Sequence, residues 1–305
     1  MGVGTFISVG RSLETALKRV ELAERLGYES VYVTHIAARD SLSVLTAYAA
    51  RTERIRLGSG VLPIYSRTPV ATAQAAVTID ELSGGRFVLG IGVSHRPVVE
   101  GWYDSQIGKP VREMREYAAL LRAFFRGEDP PQGERFRSQF RFMGIEPRPD
   151  LPIYISALSP GMLRLAGEVG DGVVLWLCNP DYIRDVVVPE VRTGRERAGK
   201  GLDGFDIVAA VPSAVTDSPD EAREQLRAEL VPYFHLPFYT AMIERSGFPT
   251  DAGAPDDFLA KLAAIGSAEE AGATVRSYLD AGATSPCIGP VAKTDFDATL
   301  EALAD

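Results

Sequence analysis

One recurring pattern governs how this chain can fold. Short apolar runs end at Gly, Ser, Thr or Asn, and an amphipathic helical stretch follows each of them. Val3–Ser8 is the first run. Ser12 then caps a helix whose Leu13, Ala16, Leu17, Val20, Ala23 and Leu26 recur at helical spacing, and Gly27 ends it. Ser30–Thr34 is the second run, with Asp40 or Ser41 capping a helix from Leu42 to Arg51. Ile55–Leu62 leads to Thr68-Pro69, an N-cap followed by a first-turn proline, and that helix stops at Gly84-Gly85. Phe87–Gly92, Pro152–Ser156, Gly172–Leu177, Asp206–Val215 and Ser285–Gly289 complete the series. Ser159-Pro160, Asn179-Pro180 and Ser218-Pro219 open the helices after the fifth, sixth and seventh runs. Glu221, at the third helical position, predicts a capping box with Ser218. A short helix near Phe296–Leu303 closes the chain.

Runs this rich in Val, Ile and Leu are buried on both faces, which means parallel strands covered by helices. Eight such units in 305 residues predict an α/β fold, the (β/α)8 TIM barrel, within one domain over 1–305. A doubly wound sheet is the structural alternative. The intervals 93–151 and 216–284 are too long for plain units. The first holds Pro130-Pro131, Gly133 and RFRSQFRFMG; the second holds Tyr233, Phe234, Phe238 and Tyr239. They read as insertions after strands four and seven, at the barrel's mouth or on a dimer surface.

Charge narrows the function. With 32 Lys+Arg against 41 Asp+Glu, the net charge of −9 has the wrong sign for a nucleic-acid binder. The imbalance lies in residues 151–305, which hold 12 basic and 24 acidic side chains. Cys178 and Cys287 are too few for a disulfide scaffold and lack metal-ligand spacing. No apolar run is long enough to span a membrane. MGVGTFISVG has neither a basic region nor a cleavable apolar core, and Phe6 breaks the myristoylation pattern. A cytoplasmic protein is expected.

A TIM barrel places its chemistry where strands end. No nucleophile elbow, P-loop or complete G-x-G-x-x-G occurs there, and no metal site is expected. What remains suits an organic cofactor. Ala157, Leu158, Ser159, Pro160, Gly161 and Met162 form the best anion-binding candidate, because first-turn N–H groups point outward at a helix start. An ordinary capped helix is the plainer account. His35, after the second strand, is a candidate proton donor or a hydrogen-bonded structural histidine. His95 follows Gly92, Val93 and Ser94, where ligand contact and solvation are equally open. His235 fits a packing role in the second insertion. Arg39 and Arg67 stand near strand mouths, where an anionic ligand or simple solvation would account for them. Phe234, Phe238, Tyr239 and Met242 suit an apolar pocket, or packing and dimerisation.

At these residues the chain resembles the bacterial luciferase-like flavin-dependent oxidoreductases, most closely the actinobacterial branch that uses the deazaflavin coenzyme F420. The stretch AARTERIRLGSGVLPIYSRTPVATAQAAVTIDELSGGRFVLGIG carries most of the likeness. LAERLGYESVYVTH and PIYISALSPGMLRLAGEVGDGV add to it. The resemblance implies a TIM barrel with the cofactor ring across its mouth. It implies a non-prolyl cis peptide at Gly60-Val61, beside Ser59, backing that ring. It assigns the cofactor phosphate to Ala157–Met162, and ring or chain contacts to Thr34, Gly92, Val93, Ser94 and Trp176. His35 matches a histidine proposed to act in proton transfer, although Thr34 replaces the acidic residue that often precedes it. Val93-Ser94-His95-Arg96 stands where the sugar-phosphate dehydrogenase members carry a catalytic Glu, so that activity does not carry over. His95 is the substitute acid or base.

The expectation is therefore an F420-dependent oxidoreductase moving hydride between the deazaflavin and a small organic substrate, with His35 and His95 as catalytic residues. The alternatives are an FMNH2-dependent monooxygenase served by a reductase, and a non-catalytic flavin-binding barrel. A homodimer is expected, with no nucleic-acid or membrane partner.

Overall fold

The barrel closes because its last strand pairs with both its first and its seventh stave. The structure is a computed structural model and describes residues 2–7, 9–10 and 12–304. Ser8, the end of the first expected strand, lies outside the described residues. The strands are β1 (Gly4–Phe6), β2 (Ser30–Val33), β3 (Arg56–Ser59), β4 (Leu62–Pro63), β5 (Phe87–Gly92), β6 (Ile153–Ser156), β7 (Gly172–Leu175), β8 (Asp206–Val215), β9 (Ala264–Gly266) and β10 (Ser285–Pro290). All the pairings are parallel. Neighbours run in chain order from β1 to β8, and β10 joins β8 to β1. Gly4 lies opposite Cys287, and Ser285 opposite Val208. The doubly wound alternative is thereby excluded, since an open sheet has two free edges.

The third expected strand is two strands. β3 and β4 are separated by Gly60 and Val61, and the peptide bond between those residues is cis. β9 was not legible beforehand; its three residues add to the C-terminal half of β8.

The helices are α1 (Leu13–Arg25), α2 (Ser41–Ala49), α3 (Pro69–Leu82), α4 (Arg96–Trp102), α5 (Pro110–Arg126), α6 (Pro160–Val169), α7 (Pro180–Tyr182), α8 (Val188–Arg197), α9 (Pro219–Leu230), α10 (Pro237–Arg245), α11 (Asp256–Leu262), α12 (Ala268–Asp280) and α13 (Phe296–Ala302). Local chemistry sets their starts. Ser12, Asp40, Thr68, Ser159 and Asn179 each accept a first-turn N–H, as the sequence predicts. The predicted Ser218 box does not form: the Ser218 backbone, at ψ 62, leaves its hydroxyl with no capping bond. The complete capping box belongs to Ser267 and Glu270 at α12.

The interval 93–151 holds α4, α5 and an irregular run, and α5 packs against α3 and α6 in the outer ring. The interval 216–284 holds α9, a 3-10 turn over Val231–His235, α10, α11, β9 and α12. Of these, α12 packs on β8, β9 and β10 as an outer-ring helix.

Inside the barrel, Phe6, Tyr32, Val88, Tyr154, Val174, Val208, Ala210 and Cys287 form one packed cluster, so the interior is a core and not a pore. Val61 and Trp176 lie against it, partly buried. At the opposite, N-terminal end, Asp206 Oδ2 accepts from Arg56 Nη1 at 2.7 Å and from the Tyr154 hydroxyl, while Thr284 Oγ1 donates to Oδ1 at 3.2 Å. That end is pinned by charge and the other end is left for chemistry.

Candidate functional site

His35 leaves the end of β2 and turns toward α2. The N–H of Ser41 donates to His35 Nδ1 at 3.3 Å, and the Ser41 hydroxyl stands 3.1 Å from the same nitrogen. A backbone N–H has no lone pair to offer, so Nδ1 is the acceptor and the hydrogen of the neutral ring sits on Nε2. Burial pushes the His35 pKa below its ordinary value; Asp40 opposes this and Arg67 reinforces it. Asp40 Oδ2 lies 3.9 Å from Nδ1 but is engaged by Arg67 Nη2 at 2.5 Å. Burial works against the Asp40 charge, yet bonds from Ser43 and Arg67 outweigh it and hold the carboxyl below the usual range. Thr34 precedes His35, half-buried.

The break in the third strand sits beside it. Gly60 N–H donates to the Val33 carbonyl at 2.8 Å. Ser59, fully buried, holds Gly90 through a hydroxyl that donates to its carbonyl and accepts from its N–H. Gly92 is required by close approach: a Cβ there would come 2.6 Å from Val61 Cγ2. Beyond it Val93 is half-buried, and Ser94 adopts φ +64°, a conformation costly for a residue with a side chain. Leu177, after β7, does the same at φ +62°. Both mouth loops thus carry backbone strain.

His95 N-caps α4 by its backbone alone. Its ring stacks on Phe238 at 5.4 Å and meets the edges or faces of Tyr239 at 5.7 Å and Tyr233 at 6.3 Å. Its Nδ1 is buried with no hydrogen-bond partner, and burial lowers its pKa. Trp176 reaches the same group, with its ring 5.9 Å from Tyr233. Burial pushes the Tyr233 phenol up, so it is neutral, and the buried indole N–H completes no hydrogen bond. The aromatic run of the second insertion therefore folds over the strand-four loop. Two orphaned polar atoms in one aromatic cluster are groups that a polar ligand would satisfy.

The start of α6 carries the residues from which the sequence predicts an anion site. Ser159 Oγ accepts from Met162 N at 3.4 Å, and Pro160 has no N–H to offer. No atom lies within 4 Å of where a Cβ on Gly161 would stand, so the first turn of α6 is uncrowded at that position. Ala157 is buried behind this turn, and Tyr182 donates to the Leu158 carbonyl at 2.7 Å, fixing the approach from β6. These features fit a phosphate-bearing cofactor: an uncrowded, glycine-bearing first turn at α6, and an apolar mouth bounded by Val61 and Trp176.

The structure brings His35, Ser59, Gly60, Val61, Gly92, Val93, Ser94, His95 and Trp176 to strand ends around one mouth. His235 is exposed and does not pack as the sequence suggested, because its 3-10 turn ends in solvent. Arg67 is not simply solvated, since it pairs with Asp40. Arg39 Nη1 donates to the Gly10 carbonyl at 2.6 Å. Sequence reasoning missed Ser41 as the partner of His35 and the contacts of His95 with Tyr233 and Phe238. Tyr65 also escaped it; its hydroxyl donates at 2.5 Å to the buried Glu113, which ties the loop after β4 to the start of α5. An open depression of about 520 Å³ beside Asp181 and Lys261 is lined by helical residues and not by these strand ends, and a second, of about 370 Å³, lies beside Asp104 and Arg135. Among the described residues no cluster of His, Cys, Asp or Glu is placed to hold a metal ion.

Comparison with known proteins is consistent with this geometry. The family model described as luciferase-like monooxygenase matches residues 1–285. The 5,10-methylenetetrahydromethanopterin reductase of Archaeoglobus fulgidus is 36% identical over 239 residues, 76% of this chain and 70% of that protein. A Mycobacterium tuberculosis protein, provisionally described as a coenzyme F420-dependent oxidoreductase, is 33% identical over 214 residues, 65% of this chain and 61% of that protein. In fold, the chain superposes on the coenzyme F420-dependent tetrahydromethanopterin reductase of Methanopyrus kandleri with a TM-score of 0.86. That match has 22% identity and covers 100% of this chain and 97% of the other.

Proposed function

Because the chain belongs to the luciferase-like monooxygenase family, we propose that it is an F420-dependent oxidoreductase acting on a small organic substrate. The likeness to the mycobacterial protein described as F420-dependent is the observation that supports this cofactor most directly. When bound, the deazaflavin supplies a carbon that accepts or gives up hydride. The Gly161 N–H and the Ser159 hydroxyl, with the turn Ala157, Leu158 and Pro160, would hold its phosphate, and the Met162 N–H would join them if it gave up its long 3.4 Å bond to Ser159 Oγ. This mode needs no basic protein and suits a chain of net charge −9. Ser59, Gly60, Val61, Gly92, Val93 and Ser94 would back the ring, with Thr34 and Trp176 at its borders.

His35 would act through the hydrogen on Nε2, the nitrogen left free by its bond from Ser41, offering it as a hydrogen bond to an oxygen on which negative charge develops. His95, with its unpaired Nδ1, would meet a polar atom of the substrate within the aromatic cluster. Lowered pKa values suit both roles, because they keep each ring neutral near neutral pH, with a hydrogen to offer at His35 Nε2. The same reading includes a homodimer, to be checked by light scattering, and a cytoplasmic location. No helix among the described residues is long and apolar enough to cross a membrane.

A titration of the purified protein with F420 and with FMN tests the proposal. Binding of F420 with neglect of FMN supports it. Tight FMN binding with oxygen uptake driven by reduced FMN would replace it with the monooxygenase reading, which the family description favours. Tight cofactor binding without turnover over a broad substrate panel would leave a non-catalytic barrel.

A further inference from the structure

His35 is surrounded by an arrangement that serves no evident packing purpose. Its Nδ1 meets the N–H and hydroxyl of Ser41, the first residue of α2. Asp40, one residue earlier, caps the same helix: its Oδ1 accepts from Ser43 N at 2.8 Å and from Ser43 Oγ at 2.9 Å. Its other oxygen, Oδ2, lies 3.9 Å from His35 Nδ1. Left alone, that carboxylate would attract a proton to Nδ1 and accept its N–H, the arrangement of a charged imidazolium beside Asp. Arg67 prevents it. From the loop before α3 it takes Oδ2 at 2.5 Å, and its own backbone is held by the Tyr117 hydroxyl, which donates to the Arg67 carbonyl at 3.2 Å. Arg67 thus neutralises the one acid that faces the histidine.

We infer that Arg67 and Asp40 are positioning residues that hold His35 as the neutral Nε2–H tautomer, with Arg67 denying Asp40 to the imidazole.

Three elements act in the same direction. The positive end of α2 points its Ser41 N–H at Nδ1 and disfavours a charged ring. The Arg67 guanidinium adds a like charge nearby. Burial adds desolvation, and the low pKa of His35 is consistent with all three. The other charged or titratable groups in the neighbourhood are few. Tyr103, in the loop after α4, faces Asp40 and is pushed up by burial and by that carboxylate, so it is neutral. Arg39, in the loop of His35 itself, donates to Gly10. The functional consequence follows from the tautomer: Nε2 lies on the far side of the ring from the Nδ1 that Ser41 engages, and it carries a hydrogen that can be offered as a hydrogen bond to a polar atom of a bound ligand without the ring being charged.

The inference deepens the proposed function and rests on His35 being its proton-handling group, but its test does not need turnover. The chain has three His, so long-range ring ¹H–¹⁵N spectra of the cofactor-free protein are assignable with His35→Gln, His95→Gln and His235→Gln variants. The wild type is expected to show His35 with Nε2 protonated and Nδ1 accepting, and a titration midpoint below the ordinary value. Arg67→Met shifts that midpoint upward and moves hydrogen toward Nδ1. Arg67→Lys restores most of the wild-type behaviour. Asp40→Asn combined with Arg67→Met cancels the upward shift, because Asn keeps a capping oxygen without the charge. An unchanged midpoint and tautomer in Arg67→Met, with circular dichroism showing a folded protein, overturns the inference. So does an equal upward shift in the double variant. If the ring titration moves but the pH profile of turnover does not, the tuning stands and the assignment of His35 as the proton-handling group falls.

Discussion

The Ser59 hydroxyl gives its hydrogen to the Gly90 carbonyl at 2.8 Å and takes one from the Gly90 N–H at 2.9 Å. One side chain therefore completes the ladder between β3 and β5 where β3 breaks off before the cis bond. Ser59→Ala leaves a buried N–H and carbonyl short of partners. It should cost about 1–3 kcal/mol, read as a lower urea midpoint with an unchanged slope. A loss near zero would mean that the two strands hold register without this bracket.

Gly161→Asp separates stability from binding. The site around its Cβ is open, and an acid in the first turn of α6 interacts favourably with the helix end, by about 0.3–1 kcal/mol. The melting temperature should hold or rise. The same charge stands where a phosphate would approach, so F420 affinity should fall at least tenfold, about 1.4 kcal/mol in binding. Unchanged affinity in a titration would remove α6 from the cofactor site.

Acid should weaken the fold in part through His95. Burial holds its folded pKa below the ordinary histidine value, so the unfolded chain binds the proton more readily. Stability is then unaffected above the unfolded pKa and is lost as pH falls through it toward the folded value. His95→Phe keeps a ring against Phe238 and Tyr239 and removes the titration. Denaturant midpoints between pH 7.5 and 5.5 should fall less steeply in the variant, and parallel slopes would contradict the assignment.

The pin at the other end of the barrel should matter for stability alone. Arg56→Met strips the Asp206 carboxylate of its cation, though both side chains are partly solvated, at 39% and 25% exposure. Screening at that exposure limits the loss to about 1–2 kcal/mol. Cofactor affinity should not change, since the pair lies at the N-terminal ends of the strands. A drop in affinity at constant fold would show that the two ends are coupled.

Most of the barrel was legible because strand and helix periodicities alternate so regularly. Caps such as Thr68-Pro69 and Asn179-Pro180 mark helix starts within a residue. The misses have physical causes. β9 has three residues, too few for alternation to show. Ser218 has capping chemistry but the wrong backbone angle, which composition cannot reveal. At the mouth, His35 was visible as a residue after a strand, whereas its ties to Ser41, Asp40 and Arg67 depend on how two loops meet. The aromatic run 233–239 was noticed, but its landing on His95, about 140 residues earlier in the chain, follows from tertiary packing alone.

The pairing of Gly4 with Cys287 has a consequence for how the molecule is made. β1 is made long before β10, so the first stave keeps an open edge until β10 is made, and the seventh stave, β8, keeps one from its own synthesis until then. Exposed strand edges are templates for pairing with other chains. A nascent chain stalled or cut before residue 285 would therefore be a sticky intermediate and not a smaller enzyme. The last strand is the one whose arrival turns an aggregation-prone sheet into a sealed ring.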